Sequence, residues 1–127
     1  MIPKRGEIDI CKLGARRGSV QSGRRPVLVI QDSDVGKHSP TTIIAPITSV
    51  LKKPELPGHI LLPDTRVLNR PSMVILEQMQ TVNVSQLEYL CGALQDDNTW
   101  KQINDGIRKV LGIWCGHNLG FDYLIAE

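Results

Sequence analysis

The stretch GSVQSGRRPVLVIQ, residues 18–31, decides how the rest of this chain is read. From Val27 to Ile30 it is apolar without a break, the pattern of a strand buried on both faces. The residues before it are mostly small or polar. Glycine and serine let backbone approach a neighbour closely, and Pro26 starts a strand where no backbone N–H is needed. Arg25 precedes proline and is therefore biased toward extended geometry. Its guanidinium leaves from a rigid strand end, a placement suited to holding a cation against a ligand.

Outward from this strand, short β-type runs bounded by Gly, Pro and polar clusters continue to about residue 94. EIDICKL (residues 7–13) mostly alternates and fits a half-buried strand. DSDVGKHSP (32–40) is a turn-rich loop, and TTIIAPITS (41–49) is a strand in which Pro46 implies an edge or a bulge. LKKPELPGH (51–59) is a polar, proline-punctuated connection expected to be exposed and mobile. HILLP is a short strand. SMVILEQMQ (72–80) reads as one long strand with Val74, Leu76 and Gln78 on one face and Ile75, Glu77 and Met79 on the other. EYLCGAL (88–94) is a last, weaker strand. Then the period changes: Asp96, Asp97 and Asn98 offer helix N-caps, and Trp100, Ile103, Ile107, Val110 and Leu111 recur at helical spacing. Gly106 costs helix propensity, and Gly112 sits where a helix would stop. The pattern predicts a small, mostly antiparallel barrel or curled sheet closed by one C-terminal helix.

A chain of 127 residues is one domain, long enough to bury a core without metal or disulfide help. Aromatics make up only 4% of it, so stacking platforms for single strands or sugars are not its main device. The net charge of +2 conceals a division: residues 1–53 hold ten Lys or Arg against four Asp or Glu, and residues 54–127 hold five against nine. The basic half points either to an anionic partner such as nucleic acid or to an ordinary solvated face. Cys11, Cys91 and Cys115 are odd in number and lack C-x-x-C spacing, which favours a reducing compartment. No apolar run approaches the length that spans a membrane.

The chain has no H-E-x-x-H, P-loop, G-x-G-x-x-G or G-x-S-x-G motif. His38, His59 and His117 are far apart, and Cys115 with His117 lacks the second ligand pair of a zinc site. The remaining polar candidates sit at strand ends: Arg25, Thr48, and the pair Glu77–Gln78 within an apolar run. Each has a plain structural explanation. Thr is a good strand residue, Glu77 could pair with a core arginine, and Arg24 and Arg25 could be rim charges. Together they describe a pocket with a guanidinium, a hydroxyl and a carboxylate.

The segments KRGEI (4–8), GSVQSGRRPVLVIQ (18–31), SPTTIIAPITS (39–49) and VILEQMQTVN (74–83), in this order and spacing, resemble the MazF/PemK (Kid) family of bacterial toxin endoribonucleases. The resemblance spans roughly residues 3–113. It implies an SH3-like barrel of antiparallel strands with a C-terminal helix, in a single domain of residues 1–113, with 114–127 as an extension past the usual family end. It implies a cytoplasmic homodimer that cuts single-stranded RNA at short sequences, needs no metal, other cofactor or ribosome, and is silenced by a cognate antitoxin, an acidic MazE-like peptide. Arg25 and Thr48 fall on the family's catalytic positions. Ser19, Gln21, Glu77 and Gln78 fall on positions that shape its RNA pocket, and Arg24 is counted with them.

That chemistry suits these side chains. RNA supplies its own nucleophile, the 2′-hydroxyl, so the protein needs charge stabilisation and proton transfer rather than a serine or cysteine. An arginine fork matches phosphate oxygens bidentately, and a threonine hydroxyl can fix the phosphate in line. Glu77 is the one nearby candidate for a general base. The chain departs from the family's usual pattern at Val20, Pro71 and Gln80, all expected near the RNA groove. Two other classes share the barrel: a gyrase poison of the CcdB type, for which Leu111-Gly112-Ile113-Trp114 has similar residues in the wrong order, and a non-enzymatic SH3-like RNA-binding module.

Overall fold

In the computed structural model, which describes residues 2–15, 18, 20–62 and 66–113, the run after Pro26 lies in β2 (Arg24–Val29). Its side chains alternate between two cores. Val27 and Val29 enter one with Cys11, Ile44, Val82 and Leu87, while Leu28 enters the other with Ile47, Val74, Leu76 and Ile103. The strand is therefore covered on both faces, as its unbroken apolarity requires. It is flanked by β1 (Glu7–Lys12) and β3 (Thr41–Thr48), both antiparallel.

The sheet runs outward from this centre. Beyond β3 lie β5 (Ser72–Ile75) and β4 (His59–Leu62), and beyond β1 lies β7 (Leu87–Ala93). β6 (Gln80–Asn83) pairs with the first half of β3, from Thr41 to Ile44, while β5 pairs with its end, at Ile47 and Thr48. The result is a curled, seven-stranded antiparallel sheet. α1 (Asp97–Val110) packs across it on the Leu28 side, with Ile103 wholly buried. Asp96 caps it, accepting hydrogen bonds from the Thr99 backbone N–H at 2.9 Å and the Thr99 hydroxyl at 2.7 Å. Leu111 falls just past the last helical residue and is exposed rather than part of the apolar stripe.

Two expectations are corrected. Pro46 marks neither an edge nor a bulge: β3 is central, and Pro46 is buried opposite Val27. It sits in the gap where β3 changes partner from β6, last paired at Ile44, to β5, first paired at Ile47. A missing donor is tolerated where the ladder is interrupted. The long strand over 72–80 is not continuous either. β5 ends at Ile75, residues Leu76–Gln78 form a 3₁₀ turn, and β6 begins at Gln80. The Leu76 side chain, wholly buried, is trapped beneath α1. A Cβ added at Gly106 would lie 2.7 Å from Leu76 Cδ1 and 2.9 Å from the Pro57 carbonyl, so the helix can approach only because residue 106 has no side chain. Among the described residues no helix is long and apolar enough to cross a membrane.

Candidate active site

The ends of β2 and β3, the 3₁₀ turn and the loop before β4 enclose an open cleft of about 530 Å³. Arg25 enters from the first turn of β2. Its Nε donates to the Ser22 carbonyl at 2.7 Å, which fixes the plane of the guanidinium and leaves both Nη groups for a ligand. Thr48, the last residue of β3, is 4% exposed, and its Oγ1 accepts the Val50 N–H at 3.1 Å. Accepting there leaves its O–H free to donate.

The turn after β5 supplies the polar floor. A strand would have sent Glu77 and Gln78 to opposite faces, whereas the 3₁₀ turn brings both to the cleft. Gln78 Oε1 accepts the Gln21 backbone N–H at 2.8 Å and so ties the 18–23 loop to the floor. The Gln21 side-chain oxygen, also at the cleft, is buried and has no hydrogen-bond partner. Glu77 is not a free carboxylate: its Oε1 lies 2.5 Å from His59 Nε2. Its other oxygen lies over Gly58, where a Cβ would come within 2.4 Å of it. The opposite ring nitrogen of His59, Nδ1, faces the carbonyls of Lys52 at 3.2 Å and Lys53 at 3.0 Å.

The structure thus brings together Arg25, Thr48, Gln21, Glu77 and Gln78, drawn from three separate stretches of chain. It does not bring Arg24 to them. Successive strand residues point to opposite faces, and Arg24 leaves the cleft to pair with Glu88 of β7 at 2.5 Å between Nε and Oε1. Ser19 lies outside the described residues, as do Cys115, His117 and the 114–127 extension. Of the three departures from the family pattern, Val20 lines the cleft, and Pro71 and Gln80 do not. His59, Lys52 and Lys53 also line it, in a loop on which base choice was expected to depend, though none of the three was singled out as a site residue. His59 stands at the mouth of β4 as Arg25 stands at the mouth of β2, so the strand-end criterion that singled out the arginine applies to it equally.

The fold and this cleft define a small antiparallel β protein, capped by one helix, with a cationic cleft at its strand ends. Residues 4–111 match the PemK-like, MazF-like toxins of type II toxin–antitoxin systems, and the chain belongs to that family. It is 39% identical over 114 residues to Endoribonuclease EndoA of Bacillus subtilis, covering 89% of this chain and 97% of that one. It is 33% identical over 111 residues to Endoribonuclease MazF of Staphylococcus saprophyticus, covering 87% and 92% respectively. In fold it is similar to MazF in a crystal structure of MazE–MazF from Deinococcus radiodurans, with a TM-score of 0.69 at 21% identity, over 90% of this chain and 99% of that one.

Proposed function

We propose that the cleft holds a phosphodiester of single-stranded RNA and cuts it with the substrate's own 2′-hydroxyl. The chain is a MazF-type toxin endoribonuclease, as its family and the names of its B. subtilis and S. saprophyticus relatives indicate. The 2′-hydroxyl gives up its proton as its oxygen bonds to the adjacent phosphorus, the bond from phosphorus to the 5′ oxygen breaks, and that oxygen takes up a proton, so that a 2′,3′-cyclic phosphate and a 5′-hydroxyl result with no net change in protons. Charge builds on the non-bridging oxygens as phosphorus becomes five-coordinate. Arg25 meets that charge with its two Nη groups, and Thr48 donates its hydroxyl to the same phosphate. One observation carries this reading: the Arg25 Nε is already committed to the Ser22 carbonyl, so the fork is oriented before substrate arrives. Preorganised donors of this kind supply much of the rate enhancement in reactions that develop negative charge.

Sequence choice is assigned to the floor and the 18–23 loop. The unpartnered Gln21 oxygen suits a base amino group, and unstacked bases of single strands offer such edges. Gln78 joins it at this surface, Ser19 is assigned the same role from its family position alone, and Val20 alters the base preference relative to family members. The toxin domain covers residues 1–113, supported by the family match over 4–111, and 114–127 extend it. The toxin acts in the cytoplasm as a homodimer. Its inhibitor is an acidic, extended antitoxin segment that occupies the cationic cleft in place of the RNA chain, in keeping with the solved MazE–MazF complex of D. radiodurans.

Mass analysis of the termini after cutting a defined oligoribonucleotide tests the chemistry. A 2′,3′-cyclic phosphate and a 5′-hydroxyl are expected. A 3′-hydroxyl with a 5′-phosphate would mean that water attacked instead.

A further inference from the structure

The loop from β3 to β4 carries two cations into the cleft, Lys52 and Lys53, and little of its own structure holds them there. Residues 49–57 are all exposed. Their backbone bonds are short local turns: Lys52 N–H to the Val50 carbonyl at 3.1 Å and Leu56 N–H to the Lys53 carbonyl at 3.1 Å. Lys53 adopts a left-handed backbone, φ 50°, which is unfavourable for a residue with a Cβ and persists only where its surroundings fix it. The side chain that fixes it is His59. One ring nitrogen bonds both lysine carbonyls, and the other bonds Glu77 on the cleft floor. With only 11% of its side chain exposed, the ring is a strut between loop and floor. Both contacts together need a proton on each ring nitrogen, or the shared proton on Glu77, since a neutral imidazole has one N–H.

We infer that His59 is a positioning residue for RNA binding: it holds Lys52 and Lys53 against the cleft, where the two lysines grip phosphates flanking the scissile one. This inference rests on the endoribonuclease reading of the cleft. His59 acts on substrate through the two lysines. Its loss therefore falls on affinity for RNA that extends past the cut site more than on the chemical step.

The test is steady-state cleavage of two single-stranded RNAs by the full chain, one several nucleotides longer than the cut site on each side and one trimmed close to it. His59→Ala raises KM for the long RNA about tenfold, with most of the loss in KM rather than kcat. It also lowers the salt dependence of binding by a log–log slope of ~1.4, the equivalent of two phosphate contacts on a single strand. Lys52→Gln/Lys53→Gln gives the same change, and adding His59→Ala to that pair changes nothing further, as expected for residues acting as one unit. His59→Asn, whose amide stands near Nδ1, recovers most of the affinity, and His59→Gln, whose amide stands near Nε2, does not. This last comparison decides the matter if His59→Ala does not fold. A loss confined to kcat, an undiminished effect in the double-lysine variant, or rescue by Gln instead of Asn would overturn the inference. If the wild-type chain cut neither RNA, the endoribonuclease reading itself would fail.

Discussion

Arg25 and Thr48 approach the cleft from adjacent strands, and their backbones are set by β2 and β3 rather than by loops. In the proposed mechanism, replacing either should change the rate of cleavage with little effect on the sheet. Arg25→Ala removes the fork and should slow single-turnover cleavage by about a hundredfold to a thousandfold, the usual consequence of losing a preorganised donor to a developing charge. Thr48→Ala removes one hydrogen bond to an anion, about 1.5–3 kcal/mol, and should slow cleavage roughly tenfold to a hundredfold with a smaller change in RNA affinity. Unchanged rates in both variants would remove the site assignment. Arg25 was legible because a Pro-led apolar strand dictates where its side chain starts. Arg24 was not, since only strand alternation and the Glu88 partner on β7, far along the chain, show that it faces away. His59 was passed over for the same reason: its partner Glu77 is 18 residues distant, and the turn that presents Glu77 is invisible in the local pattern.

At the scale of elements, the joint between the 3₁₀ turn and α1 sets the cleft floor. Gly106 faces the Leu76 side chain and the Pro57 carbonyl, and the second of these is backbone that cannot rotate aside. Gly106→Ala gains about 1 kcal/mol of helix propensity but overfills this contact, which costs about 1–3 kcal/mol. The expected outcome is a lower denaturation midpoint together with weakened cleavage, because the helix would push on the turn that carries Glu77 and Gln78. A more stable variant with full activity would show that the joint is loosely packed. Much at this scale was readable. The doubly buried β2, the N-cap at Asp96 and the change to helical period all follow from local rules. SMVILEQMQ misled because no Gly or Pro marks the turn within it, while the cause of the break, a helix arriving over Leu76, comes from residues about thirty positions later. Pro46 misled similarly, since the exchange of β6 for β5 along β3 has no local signature.

Across the whole molecule, the two halves of the charge division along the sequence meet at the cleft: the basic half supplies Arg25, Lys52 and Lys53, and the acidic half supplies the one carboxylate there among the described residues, Glu77, paired with His59. A second carboxylate, Asp9 of β1, is wholly buried, and neither of its oxygens has a hydrogen-bond partner. Burial, helped by the nearby Glu7 charge, lifts its pKa from 3.8 to about 6. Because the folded chain holds this proton more tightly than the unfolded chain, the group's stabilising contribution is complete below about pH 4 and is lost as the pH rises through about 6. Asp9→Asn removes that dependence. The stability difference between the variant and the wild-type chain, measured by urea denaturation, should shift in the variant's favour by about 2–3 kcal/mol between pH 4 and pH 7. A difference independent of pH would show that Asp9 ionises freely. The roles of Arg25 and Thr48 depend on where the nucleophile comes from, and a single substituted RNA addresses that directly. An oligoribonucleotide with one 2′-deoxy residue, on the 5′ side of the cut, should bind the toxin almost as well as the all-ribose strand and remain intact. Cleavage of that strand at the same bond would contradict attack by the ribose and, with it, the role given to Arg25.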